Sequence, residues 1–150
     1  MCGLARTSVD PPEFIAMGGD IAHHGGEFRP TEYLPLPENI NPNPLEAPFA
    51  KHASVCPGHI FEAIHPTHSS TEPFMYPNGA VHSDAAQAQE SLVKYEEFDA
   101  HEDVFAVIAH DAALLDVVEF YPKSANDWRA EGWKAEALWR FLRDFDTTKQ

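Results

Sequence analysis

The sequence predicts one domain of mixed α/β (α+β) architecture. Three observations carry this: an unbroken, β-rich apolar run at Val104 to Ala109, two short strand-like runs near the start, and helix-period apolar spacing over 83–98 and 128–145. A length of 150 residues fits a single domain spanning 1–150.

Taken in order, Cys2 to Arg6 reads as a strand, Pro11-Pro12 as a break and Phe14 to Met17 as a second strand. Gly18-Gly19 ends that strand, because paired glycines favour a tight bend over continued pairing. Residues 30–82 hold ten of the thirteen prolines, which remove backbone donors and fix φ. This zone is therefore expected as a long Pro-rich loop with at most a helical turn, forming a lid, an interface or a pocket wall rather than core. Ser83-Asp84 can cap a helix running to about Phe98, with Ala85, Ala88, Leu92 and Tyr95 on one face. Val104 to Ala109 is apolar on both faces, as in a buried central strand, and stops at His110-Asp111. Leu115 to Tyr121 is expected as a short strand or helical turn ended by Pro122. A final helix over about Trp128 to Phe145 turns Trp133, Ala137, Leu138, Phe141, Leu142 and Phe145 inward.

Composition narrows the function. The 24 acidic residues against 10 Lys and Arg give a net charge of −14, which repels phosphate backbones and anionic lipid surfaces. Neither nucleic acid nor a membrane is an expected partner, and the longest apolar run is far too short to span a bilayer. Cys2 and Cys56 make no disulfide framework and no CxxC pair. With no secretory signal pattern at the start, a cytoplasmic, reducing setting is expected.

Two apolar strands each deliver a polar residue at their end: Asp20 after Phe14–Met17, and His110 after Val104–Ala109. Groups fixed at the ends of buried strands suit a metal, and Asp with His suits zinc, manganese or iron. The bare spacing also admits a turn aspartate and a hydrogen-bonded histidine. Asp111 reads as a helix N-cap rather than a base. His23 and His24 are adjacent and point oppositely in extended chain, so at most one faces a site. His65 and His68 form an HxxH that Pro66 keeps off a helix, and Cys56 with His59 lacks partners. His52, His59, His82 and His101 read as solvated. No nucleophile elbow, P-loop or dinucleotide fingerprint is present.

Together, "FIAMGGDIAHHGGEFRP" and "VFAVIAHDAALLDVVEFYP" resemble the metallo-β-lactamase superfamily, most closely its lactonase-like, fungal-type members. "WRAEGWKAEALWRFL" resembles that group's terminal helix. The resemblance implies the C-terminal half of an αββα sandwich, in which Asp20 bridges two metal ions, zinc by expectation, and His110 ligates one of them. His23 stands where lactonase relatives often carry a tyrosine, which makes it a candidate catalytic pocket residue. The superfamily's H-x-H-x-D-H signature is absent, so most ligands of a dinuclear site are missing. Weak or absent metal binding is expected of this chain alone.

The implied function is metal-dependent hydrolysis of an ester, lactone or thioester, with the chain not competent by itself. A truncated, non-catalytic or partner-binding domain is the alternative. Expected partners are a small-molecule substrate for the complete protein, a complementary N-terminal half or a second copy.

Overall fold

The computed structural model describes residues 2–51, 54–78 and 83–146. A turn at Asp10-Pro11 folds β1 (Gly3–Val9) back onto β2 (Pro12–Met17), antiparallel from Gly3 opposite Met17 to Val9 opposite Pro12. Strand β1 runs on to Val9 beyond the sequence signal, and β2 begins earlier, at Pro12, because proline is tolerated as the first residue of a strand. Within the Pro-rich zone lie a two-residue ladder of β3 (Asn39–Ile40) with β4 (Cys56–Pro57) and a short helix α1 (His59–Ile64). Helix α2 (Ala85–Ala100) follows, with Asp84 as its N-cap accepting from the Gln87 amide. The chain then enters β5 (Val104–Val107), which pairs in parallel with β2 and gives the sheet order β1-β2-β5.

Alternation along β2 and β5 sends side chains to two faces. Ala16, Val104, Ala106 and Ile108 pack with Leu92 and Tyr95 of α2 and with Phe28. Phe105, with the half-buried Ile15 and Val107, packs against Val117, Trp128, Trp133 and Ala137. Tyr95 ties the strands from above by donating its hydroxyl to the Ala16 and Val107 carbonyls, 2.8 Å each. Burial holds that phenol far above its ordinary pKa, so it stays a donor.

Two expectations need revision. The segment 30–82 is not merely a wall: Leu36, Ile40, Cys56, Phe61 and Phe74 form a buried cluster with Trp139, Phe141 and Leu142. The expected final helix is two short pieces, α3 (Trp133–Ala137) and a 3₁₀ turn Arg140–Phe145. Gly132 takes φ +72° just before α3, so the chain cannot run helically from Trp128 into it. Trp128 is instead buried, donating its indole N–H to Thr7 Oγ1. Four consecutive residues, Trp139 to Leu142, are buried, and one face of a regular helix cannot bury all four. Of the strand or helical turn expected at 115–121, a helical turn forms: it extends the 3₁₀ turn Ala112–Leu114, with Val118 N–H donating to the Leu114 carbonyl at 3.0 Å.

A buried ion pair locks these layers together. Arg29 donates from Nε and Nη2 to the two oxygens of Asp99 at 2.6 Å each, and from Nη1 to the Leu138 carbonyl at 3.0 Å. Its guanidinium lies 4.5 Å from the Phe28 ring centre. Burial opposes the charge on Arg29, but the Asp99 carboxylate outweighs it and raises the pKa above the ordinary value. Lys134 of α3 caps the far end of α2, its ammonium donating to the carbonyls of Asp99, His101 and Val104 at 2.9, 2.5 and 2.6 Å. Burial pulls the Lys134 pKa down to about 8.

Asp99→Asn is expected to cost about 3–5 kcal/mol in urea unfolding, because it leaves a buried guanidinium without its counter-charge. Burial, then the neighbouring Asp99, pushes Glu96 up to about 7. The folded-state value lies above the unfolded one, so Glu96 favours folding below about pH 4.5 and loses that contribution as pH rises through 7. Glu96→Gln is therefore expected to raise the melting temperature more at pH 8 than at pH 4.5.

Candidate metal centre

The ends of β2 and β5 stay joined beyond their last ladder pair. Gly18 N–H donates to Val107 O at 2.8 Å, and Ala109 N–H donates to Gly19 O at 2.9 Å. Both glycines are needed here. A Cβ on Gly18 would lie 2.7 Å from the Ile21 side chain and 3.0 Å from the Tyr95 ring, while Gly19 takes φ +59°. The chain thus turns sharply into the 3₁₀ turn Gly19–Ile21 that carries Asp20. On the neighbouring strand end, His110 also takes a left-handed backbone, φ +63°. That conformation is uncommon outside glycine and in folded proteins gathers at functional sites.

This geometry brings Asp20, His23 and His110 together. His110 Nε2 lies 3.3 Å and His23 Nε2 4.0 Å from Asp20 Oδ1. The two imidazoles stack at 5.6 Å between centres, 12° apart in plane. One donor atom from each of the three residues lies within 4.8 Å of the others. Two donors of a tetrahedral zinc ion stand about 3.4 Å apart, a spacing the Asp20–His110 pair already matches. One carboxylate and two imidazoles suit a single divalent cation of the zinc, manganese or iron class. No other group of this kind occurs among the described residues, so the donors for a second ion are not assembled here. The site is open: Asp20 and His110 side chains are 72% and 69% exposed. Beside it lies a cleft of about 280 Å³, lined in part by Cys2, Gly18, Asp20, Gln87 and Ser91.

The adjacent histidines divide as an extended chain requires. His24 turns away from the site and caps the 3₁₀ turn Gly25–Glu27, its Nδ1 accepting from Gly26 N–H at 3.0 Å. That bond leaves the proton on Nε2, which donates to Asp144 at 3.2 Å, while the edges of Phe141 and Phe145 enclose the ring. His65 is buried and organises its own loop. Its Nδ1 accepts from the Thr67 and Ser69 amides, and its Nε2 donates to the Glu72 and Pro73 carbonyls. His68 meets the Glu62 carbonyl, so the HxxH is taken up by backbone. Cys56 sits in the apolar cluster, and burial raises its thiol pKa. His52 and His82 lie outside the described residues. Asp111 caps the turn 112–114 by accepting from Ala113 N–H at 2.9 Å.

The sequence reading missed the ion pairs that anchor the segment following His110. Asp116, six residues on, accepts from both Arg140 and Arg143, and Arg140 together with Arg143 holds its pKa down to about 2. Nothing in local spacing signals a contact between residues 24 and 27 positions apart.

No family model matches the chain, and no solved structure matches it. Among curated proteins it is similar to a protein named gamma-lactamase FDB1 from Fusarium pseudograminearum, 45% identical over 147 residues, covering 97% of this chain and 35% of that protein. A gamma-lactamase MBL2 from Gibberella moniliformis is 49% identical over 96 residues, 63% of this chain and 38% of the relative. A metallo-hydrolase mfmC from Annulohypoxylon moriforme is 34% identical over 146 residues, 97% of this chain and 37% of the relative. The chain thus spans a little over a third of the length of these relatives.

His24→Ala removes a cap, a polar contact and two ring contacts, and is expected to cost about 1–2 kcal/mol. Urea unfolding should show a larger loss than for His110→Ala, whose side chain is 69% exposed.

Proposed function

We propose that this chain, which is homologous to part of the metallo-β-lactamase-like hydrolases, supplies one wall of a metal-dependent hydrolytic centre. The observation that carries the proposal is the convergence of Asp20, from the end of β2, and His110, from the end of β5, with His23 at the same point. The relatives' names support the lineage, one being a metallo-hydrolase and two gamma-lactamases. We read the chain as the C-terminal part of an αββα sandwich whose other half carries the remaining ligands. The segment 30–82 then forms part of the pocket surround.

In this reading Asp20 and His110 hold the cation, zinc by preference with manganese or iron as substitutes. When bound, such an ion supplies Lewis acidity at a scissile carbonyl. The second carboxylate oxygen of Asp20 is available toward a second ion held by the other half. His23 keeps the pocket role its position suggests, since its Nε2, 4.0 Å from Asp20, can hold a proton beside the reacting bond. The same atom can also close on the cation as a third donor. The substrate class is a small cyclic carbonyl compound: a γ-lactam by analogy with the relatives' names, or a lactone or ester of similar shape. The adjoining cleft of about 280 Å³ is on the scale of such a molecule.

Titration with Co²⁺ or Zn²⁺ tests the reading. The 150-residue chain is expected to bind no more than one equivalent, weakly, and to hydrolyse no lactam or lactone alone. Asp20→Asn and His110→Ala should each weaken binding at least tenfold, and His23→Ala distinguishes a third donor from a pocket residue by whether binding falls to the same extent. Equal binding by wild type and the Asp20 and His110 variants would overturn the metal-centre assignment. With three donors gathered within 4.8 Å, weak binding is expected rather than none, so a wild type that binds nothing would favour a non-catalytic, partner-binding domain.

A further inference from the structure

The two loops that carry the candidate donors do not bond to each other through their own backbones beyond Gly19, yet both are gripped by the same short turn. On one side, the 3₁₀ turn Arg140–Phe145 holds the loop of His23. Asp144 accepts from His24, the Phe141 ring lies under Gly25, and a Cβ on Gly25 would come within 2.9 Å of that ring. On the other side, the turn holds the loop of His110. Arg143 donates from Nη2 to the Ala112 carbonyl at 2.9 Å and from Nη1 to Asp116 at 3.0 Å. Arg140 adds two bonds to Asp116 and anchors itself on the Glu46 carbonyl at 2.9 Å. Arg143 also faces Asp144, with Nε 4.0 Å from Oδ1. The turn therefore joins His24, held by Asp144, to Ala112 and Asp116, held by Arg143. His24 is one residue from His23, Ala112 two from His110 and Asp116 six from it.

We infer that Arg143 is a positioning residue that sets the spacing of His23 and His110 around Asp20: it holds the His110 loop through Asp116 and Ala112, while its chain neighbour Asp144 holds the His23 loop through His24. It lies outside the donor set and acts only through the loops. The arrangement is built for this task. A guanidinium offers several donors in one fixed plane and can hold a carboxylate and a carbonyl at once, whereas a lysine ammonium holds them without that planar constraint. The His110 backbone, in its left-handed conformation, persists only where its surroundings over-determine it; it is flanked by the Ala109 to Gly19 bond before it and by the Asp111 cap and the Ala112 carbonyl taken by Arg143 after it. Groups behind metal ligands commonly change affinity 10–100-fold when removed.

The inference rests on the metal-centre reading, and the test separates the two. Co²⁺ is titrated into wild type, Arg143→Met, Arg143→Lys and Asp144→Asn, with the visible absorption spectrum of the bound ion as readout and far-ultraviolet circular dichroism as the folding control. Arg143→Met is expected to bind at least tenfold more weakly with a changed spectrum. Arg143→Lys should fall between it and wild type, and the fold should be unchanged. Arg143→Met with wild-type affinity and spectrum would overturn the inference while leaving the metal centre intact. If Arg143→Met does not fold, Asp144→Asn decides on the same terms: its side chain is 52% exposed and it leaves Arg143 bound to Asp116. Weaker binding with an altered spectrum supports the clamp, and wild-type behaviour overturns it. A wild type that takes up no Co²⁺ overturns the metal-centre reading, and the inference falls with it.

Discussion

The buried pairing of Arg29 with Asp99 is the constraint on which the rest of the structure depends. Arg29 closes the glycine-rich segment that carries Asp20 and the histidines, and Asp99 lies in the last turn of α2. The third guanidinium contact reaches Leu138, beyond α3. One side chain thus fixes three regions of the fold relative to one another, and Lys134 reinforces the junction by collecting the carbonyls at the end of α2. Two charges removed from water are stabilised here by a bidentate geometry, an aromatic face and saturated donors, the conditions under which a buried ion pair repays its desolvation.

From that junction the sheet inherits its shape. Tyr95, one turn before Asp99, is pressed onto the end of the β2–β5 pair, where its hydroxyl takes one carbonyl from each strand. Gly18 has no side chain because the Tyr95 ring and Ile21 already occupy that space. The strand ends are consequently held side by side, and Asp20 and His110 emerge as neighbours. The donor cluster follows from the packing beneath it rather than from attraction between its members, of which Asp20 and His110 are exposed to solvent.

The histidine pair shows how one dipeptide is split between chemistry and architecture. His23 and His24 are identical in composition and adjacent in sequence, yet one faces Asp20 and the other is enclosed by Phe141 and Phe145 and bonded to Asp144. Period-two geometry requires that they diverge. Which of the two faces the site depends on residues about 120 positions away. The HxxH at His65 and His68 has a spacing familiar from metal sites and serves only the local backbone, because Pro66 denies it a helix.

Local sequence alone determined the strand ends. Paired glycines after Met17 and the two-faced apolar run at Val104 to Ala109 follow from backbone sterics and side-chain periodicity, which operate over a few residues. The N-caps at Asp84 and Asp111 were legible for the same reason. Tertiary structure alone decided the rest: that β2 and β5 are neighbours, that Arg29 finds Asp99 seventy positions away, that Arg143 meets Asp116, and that the last helix breaks at Gly132. Those choices are made by burial and charge pairing between distant segments. Periodicity shows which face of an element is apolar, but it carries no information about the partner that will cover that face or meet its charge.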